Sequence, residues 1–267
     1  MYTEKIYDIT NAENSLKTLV NLTDGGEEVF KHYIHRVKYL SGNIEECFNE
    51  MMNNFNIQPI FEMDDILYNL QHITTSSENC KHIKEKGLMD LRNTYIDTQS
   101  ELYQFLNENS IKIDISERKL YFNNSEIGDI SYENGISVHD YHSKEHKLRM
   151  VGYKFYRDFC ICGFLSFDHK IPYGGNVHRR PEILFNIAQL IGKRIDNIWE
   201  EKHKCYVVKF SVPYRNTISM YIKNKRDLLY YAFNNAIIET DDMEVLLKDN
   251  IQVPPEDIIS IDRFDFL

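Results

Sequence analysis

No apolar run in this chain approaches the roughly 20 residues that cross a bilayer, so no membrane span is expected. Cysteine is sparse. The five residues, Cys47, Cys80, Cys160, Cys162 and Cys205, are odd in number and scattered, which speaks against a disulfide framework. None forms Cys-x-x-Cys; Cys160 and Cys162 alternate on one face of a strand, which disfavours a zinc site, and no metal is expected. The opening residues, MYTEKIYDITNAEN, lack the basic start and apolar core of a signal peptide, so the expected location is the cytoplasm. Positive charge is also short: 31 Lys and Arg face 41 Asp and Glu, for a net charge of −10. That disfavours non-specific binding to a phosphate backbone, though not a local basic groove. The basic clusters near candidate chemistry are HRR at 178–180 and KHKC at 202–205. No repeat or low-complexity tract is present.

What remains is the material of a packed core. Hydrophobic residues at 42% and aromatics at 13%, with 18 Tyr and 15 Phe, argue for one large core, with room in 267 residues for a helical appendage. Residues 1–24 are polar and carry weak signals. From Glu27 to Leu40, Val29, Phe30, Tyr33, Ile34, Val37 and Leu40 recur with a helical period. After Ser41-Gly42-Asn43 the pattern restarts through Ile44, Cys47, Phe48, Met51 and Phe55, and ends before Pro59. This predicts a helical hairpin within residues 1–60, a lid or packing element for a domain at 61–267.

Residues 67–91, LYNLQHITTSSENCKHIKEKGLMDL, read as a strand ending in His72-Ile73-Thr74, a polar turn, and a helix closed at Gly87. Ser76 or Ser77 is the expected cap, with Glu78 in the first turn, and Gly87 suits a left-handed C-terminus. Downstream, SELYQFLNEN predicts a helix, and IKIDI, KLYF and SEIGDI predict strands with a tight turn at Asn123-Asn124. Residues 131–147 read as a loop. Its His139, His142 and His146 lack a carboxylate at a ligand spacing, which favours a solvated loop over a metal site. FCICGFLSF at 159–167 predicts a strand buried on both faces, followed by a Gly- and Pro-rich loop and one helix from Pro181 to Lys202. Glu182, in that helix's first turn, serves the dipole or stands as a reserve catalytic carboxylate. CYVVKFSVP, NTISMYIK and DLLYYAF read as strands or strand-like segments.

Two of these stretches carry a resemblance. His72-x-Thr74 on a strand end, followed by Ile83-x-x-x-Gly87-Leu88, resembles the first motif of the ADP-ribosyltransferase fold. Met243-Glu244-Val245-Leu246-Leu247, followed by Ile251, Val253-Pro254 and Ile258, resembles the third. Between them GFLSF stands where the family has its middle strand, with Phe164 and Ser166 but no Tyr-Phe or Ser-Thr pair. Read from its residues alone, the first stretch is equally open to a structural role in which His72 only caps or packs.

The resemblance implies an α+β fold: a split β-sheet ADP-ribosyltransferase-like core, an N-terminal helical hairpin, and an α/β insertion at about 92–150. It implies NAD as substrate. His72 and Thr74 would hold a ribose, Ser166 would belong to the middle motif, and Tyr173 would stack on nicotinamide. Glu244 would stabilise the positive charge that develops on the ribose as nicotinamide leaves, with Asp242 orienting the acceptor. The acceptor would be a protein side chain, a nucleic-acid base or a small molecule inside the cell, in a toxin or phage-defence role. NAD hydrolysis by the same residues is one alternative. Another is a tRNA 2′-phosphotransferase, which the acidic balance disfavours. A binding or antitoxin-like protein that keeps the fold without turnover is the third.

Overall fold

The structure is a computed structural model and describes residues 5–40, 42–132, 142–167, 176–238 and 242–265. The chain opens with β1 (Lys5–Tyr7), α1 (Ala12–Leu22), α2 (Glu27–Leu40) and α3 (Ile44–Asn54). The long strand β2 (Ile66–Ser76) leads into α4 (Lys81–Lys86), α5 (Leu91–Ile96) and α6 (Glu101–Glu108). A small sheet follows, β3 (Ile111–Asp114), β4 (Lys119–Phe122) and β5 (Ser125–Asp129), then α7 (Lys144–Tyr156) and β6 (Cys162–Phe164). Next come α8 (Glu182–Ile191), α9 (Ile195–Lys202), β7 (Lys204–Pro213), β8 (Thr217–Ser219) and α10 (Lys225–Ile237). β9 (Glu244–Leu247) and β10 (Ile258–Arg263) close the chain. Helices and mainly antiparallel sheets alternate irregularly, which is a mixed α+β arrangement. Among the described residues no helix is long and apolar enough to cross a membrane.

The main sheet runs β10-β7-β2-β6-β9-β8, with β1 parallel to β2. β2 and β7 pair over ten residues, from Leu67 opposite Pro213 to Ser76 opposite Lys204. The other edge of β2 is shared. β1 covers Ile66 to Tyr68, and β6 touches it at a single pair, Gln71 opposite Phe164. Among the described residues no β2–β6 pair follows Gln71.

Strand alternation sets what each face buries. Ile66, Tyr68 and Leu70 enter the main core, and the same face continues into His72 and Thr74. Helices α1, α2, α3 and α10 contribute to that core. Phe48 of α3 meets Tyr230 and Phe233 of α10, each with ring centroids 5.6 Å apart. The weakly marked N-terminal segment is tied in by polar contacts. Tyr7 Oη donates to Leu228 O at 3.0 Å, and Asn235 Nδ2 donates to Ile9 O at 2.6 Å.

A second core joins α5 to α9 with β3, β4 and the segment at Ile130, around Phe105, Leu120, Phe155 and Trp199. The β4–β5 turn has Asn123 and Asn124 at φ 50° and 62°, the left-handed pair that two-residue hairpins need. The described residues of 92–150 thus share a core with α8 and α9.

Several expectations are corrected. DLLYYAF lies in the helix α10, because Leu228, Leu229, Ala232, Phe233 and Ala236 fall on one helical face that the core buries. Residues 181–202 form two helices, since Gly192 adopts φ 68° and closes α8. Of the loop expected at 131–147, residues 144–147 instead open α7, which Ser143 caps by accepting from His146 N at 3.0 Å, and residues 133–141 lie outside the described residues. His146 therefore sits in a helix turn; His139 lies outside the described residues. In 159–167 only Cys162–Phe164 pairs as a strand, although Phe159, Ile161 and Leu165 are buried beside it.

Candidate functional site

Where β2 parts from β6, the cores meet around a cavity of about 580 Å³. His72 and Thr74 of β2, Cys162 of β6 and Glu244 of β9 form the sheet side, the first two from one face of the strands and the last two from the other. Glu101 of α6, Lys154 of α7, Glu182 of α8 and Trp199 of α9 line the other, with Asp158 just past α7.

The first side is held by strand pairing. Glu244 stands opposite Phe164 in the β6–β9 ladder, two residues from Leu246, which stands opposite Cys162. Glu244 and Cys162 therefore share a face and lie on a diagonal that a long side chain spans. The Cys162 thiol donates to Glu244 Oε1 at 3.1 Å. Burial, then the charge of Glu244, push that thiol far above its ordinary range, so it stays protonated. On the opposite edge His72 Nδ1 donates to the Cys162 carbonyl at 2.7 Å. A carbonyl only accepts, so the proton sits on Nδ1 and Nε2 is the ring's acceptor. Burial lowers the His72 pKa against that hydrogen bond, which keeps the ring neutral at pH 7. Gly163 lets β6 press onto β2: a Cβ there would meet Leu70 side-chain atoms at 3.0 Å.

The second side is a set of committed charges. Lys154 Nζ bonds both Asp158 and Glu182. Burial alone would lower the Lys154 pKa, but the two carboxylates outweigh it and raise it. Glu101 accepts from Ser77 N and Oγ at 2.8 Å each, from Ser76 Oγ, and from His203 Nε2 at 3.2 Å. Burial pushes Glu101 up, and these bonds, led by His203, bring it down to about 2.

The turn after β2 differs from the expected cap. β2 itself runs on through Thr75 and Ser76. Ser76 Oγ accepts from Glu78 N at 3.1 Å and Cys80 N at 2.8 Å, bracing a turn ahead of α4. Glu78 thus precedes the helix, which starts at Lys81 after Cys80 at φ 55°. Gly87 does take a left-handed φ, 83°, and the next residue joins the closing segment: Leu88 N donates to Val253 O at 2.9 Å, and Val253 N to Leu88 O at 3.0 Å.

His72, Thr74, Glu244 and Glu182 thus line one cavity. Two candidates stand outside its lining. Asp242 is exposed ahead of β9, and Ser166 is buried, with its carbonyl accepting from Met243 N at 2.9 Å. Tyr173 lies outside the described residues. Lys209 of β7 bonds Asp8 at 2.6 Å and Arg263 of β10 pairs with Asp265, so these two cations engage carboxylates other than Glu244. Sequence reasoning missed Cys162, Lys154, Asp158, Glu101 and Trp199. Lys154 and Asp158, four residues apart, were the one available signal, visible only once α7 is recognised as a helix. The two basic clusters do meet, at a more open cavity of about 660 Å³ lined by His178, Arg179, His203 and Lys204, with Glu200, Glu201 and Asp265 balancing them.

Among the described residues no group of three or more His, Cys, Asp or Glu is arranged to hold a metal ion. No family model, no curated protein and no solved structure matches the chain.

Proposed function

We propose that this cavity binds NAD and that the chain is an NAD-dependent ADP-ribosyltransferase with an ADP-ribosyltransferase-like split-sheet core. One observation carries the reading. The segments that resemble the family's three motifs lie far apart in sequence, yet β2, β6 and β9 are consecutive in the sheet, and His72, Thr74 and Glu244 line one cavity of ligand size. The Leu88–Val253 bridge, which joins the end of the first motif to the tail of the third, supports it further.

The chemistry fits the charge distribution. Among the described residues five carboxylates line the cavity, Asp90, Glu101, Asp158, Glu182 and Glu244, against one lysine, Lys154. That suits the cationic pyridinium of NAD and the positive charge that grows on the ribose as neutral nicotinamide departs. It also keeps the anionic diphosphate at the mouth, and counts against a reaction anchored on a phosphate. Glu244 is the carboxylate that faces the developing charge. His72, neutral with Nε2 as acceptor, takes a ribose hydroxyl, and Thr74 supplies a second hydrogen bond. Transfer goes to an acceptor inside the cell, and hydrolysis is the same reaction with water in its place.

Incubation with NAD, scored for free nicotinamide, tests this. Nicotinamide release above the buffer rate supports the reading, and mass increase of a co-incubated acceptor distinguishes transfer from hydrolysis. No release, together with no NAD binding by calorimetry at millimolar ligand, overturns it.

A further inference from the structure

We infer that Cys162 is a positioning residue that sets the orientation of both Glu244 and His72 for the reaction, an inference that rests on the NAD reading of the cavity. Cys162 is bonded to both. Its carbonyl accepts from His72 Nδ1 at 2.7 Å and its thiol donates to Glu244 Oε1 at 3.1 Å. Neither bond belongs to the sheet ladder. β2 and β6 share one backbone pair, Gln71 with Phe164, and the imidazole then occupies the place where a further rung would form.

The two bonds have different consequences. The carbonyl fixes a tautomer: a proton held on Nδ1 makes Nε2 an acceptor, suited to a hydroxyl donor. The thiol holds a carboxylate oxygen with a neutral donor. A lysine or arginine in that place would offset the negative charge that the reaction needs, whereas a protonated thiol orients it and leaves it in place. The thiol is kept protonated by burial and by Glu244 itself. Main-chain geometry keeps β6 in reach, because Gly163 lets it approach Leu70 and Phe210 more closely than any larger residue allows.

Substitution at Cys162 leaves the carbonyl in place and removes only the thiol, so the test isolates the Glu244 bond. Cys162→Ala and Cys162→Ser are compared with the unaltered chain for nicotinamide release, NAD affinity and melting temperature. The expected result is a roughly tenfold fall in kcat for Cys162→Ala with KM for NAD little changed, the scale of one donor lost from a charged group. Cys162→Ser, which restores a donor, recovers most of that loss. Full turnover per folded molecule in Cys162→Ala overturns the inference. So does an equal loss in both variants that follows melting temperature. Should the unaltered chain release no nicotinamide, the NAD reading fails separately. The Glu244 bond is then read from the Cys162 S–H stretch in infrared difference spectra, with the band assigned by its absence in Cys162→Ala. A band that moves to higher frequency in Glu244→Ala sustains the bond to Glu244, and an unchanged band overturns it.

Discussion

Trp199 and His203 stack face to face, with ring centroids 3.5 Å apart and planes 7° from parallel. His203 Nδ1 donates to Trp199 O at 2.8 Å, and its Nε2 faces Glu101 Oε2 at 3.2 Å. Trp199 Nε1 in turn donates to Thr75 Oγ1 at 2.8 Å, which ties the stack to β2. The wall between α9 and β2 is thus a hydrogen-bonded Glu101–His203 pair laid on an indole.

That wall makes stability acid-sensitive. Glu101 titrates near 2 in the folded chain against an ordinary 4.5, so its contribution is complete above about pH 4.5 and is lost as pH falls toward 2. The shift corresponds to about 3 kcal/mol. Urea unfolding of Glu101→Gln should show a clear deficit at pH 7 that shrinks steadily below pH 4.5. A deficit of constant size across that range contradicts the assignment.

Lys154 is the next test. Lys154→Met leaves Asp158 and Glu182 side by side in the cavity lining without their shared cation. Both are about one-third exposed, so solvent screens part of the repulsion and the expected cost is about 1–2 kcal/mol. Glu182→Gln should cost less than about 1 kcal/mol, because Asp158 still holds the lysine. A larger loss in Glu182→Gln than in Lys154→Met would contradict this order.

Gly87 couples the two ends of the site-forming core. Its φ of 83° disfavours any side chain, and a Cβ there would lie 1.9 Å from Val253 O. Gly87→Ala should therefore destabilise by about 3 kcal/mol or more, combining left-handed strain with a backbone displacement. Thermal unfolding checks it: a melting point within 2–3 °C of the unaltered chain is roughly 1 kcal/mol and contradicts the prediction.

A chain starting at Phe61 loses β1, α1 and the α2–α3 hairpin together. Phe48 and Met51 leave the face of α10, and the buried Tyr7 and Leu19 go with them. Residues Leu229, Ala232 and Phe233 would then face water, so the shortened chain should be insoluble or fail to unfold cooperatively. A soluble product with an unchanged melting temperature would show the segment to be an appendage.

The hairpin was legible because Val29, Phe30, Tyr33 and Val37 form one stripe against charged neighbours. The α1 helix was hidden because it buries Ser15 and Thr18, whose hydroxyls bond Asn11 O and Asp8 O at 2.8 Å. Polar residues satisfied inside a core look like surface in a sequence. Helix α10 was misread because Leu-Leu-Tyr-Tyr-Ala-Phe has too few polar residues to separate a period of two from one of 3.6. Helix α7 was missed for the opposite reason: its charge is high, and only Leu148, Val151, Gly152 and Phe155 are buried. Of the site, His72, Thr74 and Glu244 were visible as motif residues. The roles of Cys162, Lys154 and Glu101 were not, because each depends on partners brought by other strands and helices.

Glu244 carries the central claim. Gln is nearly isosteric with Glu and still accepts from the Cys162 thiol, so Glu244→Gln should keep the melting temperature and most of the NAD affinity. Nicotinamide release from NAD should fall on the order of 10²-fold or more, the scale of losing a group that stabilises transition-state charge. Release that stays proportional to the folded protein in Glu244→Gln would contradict the account.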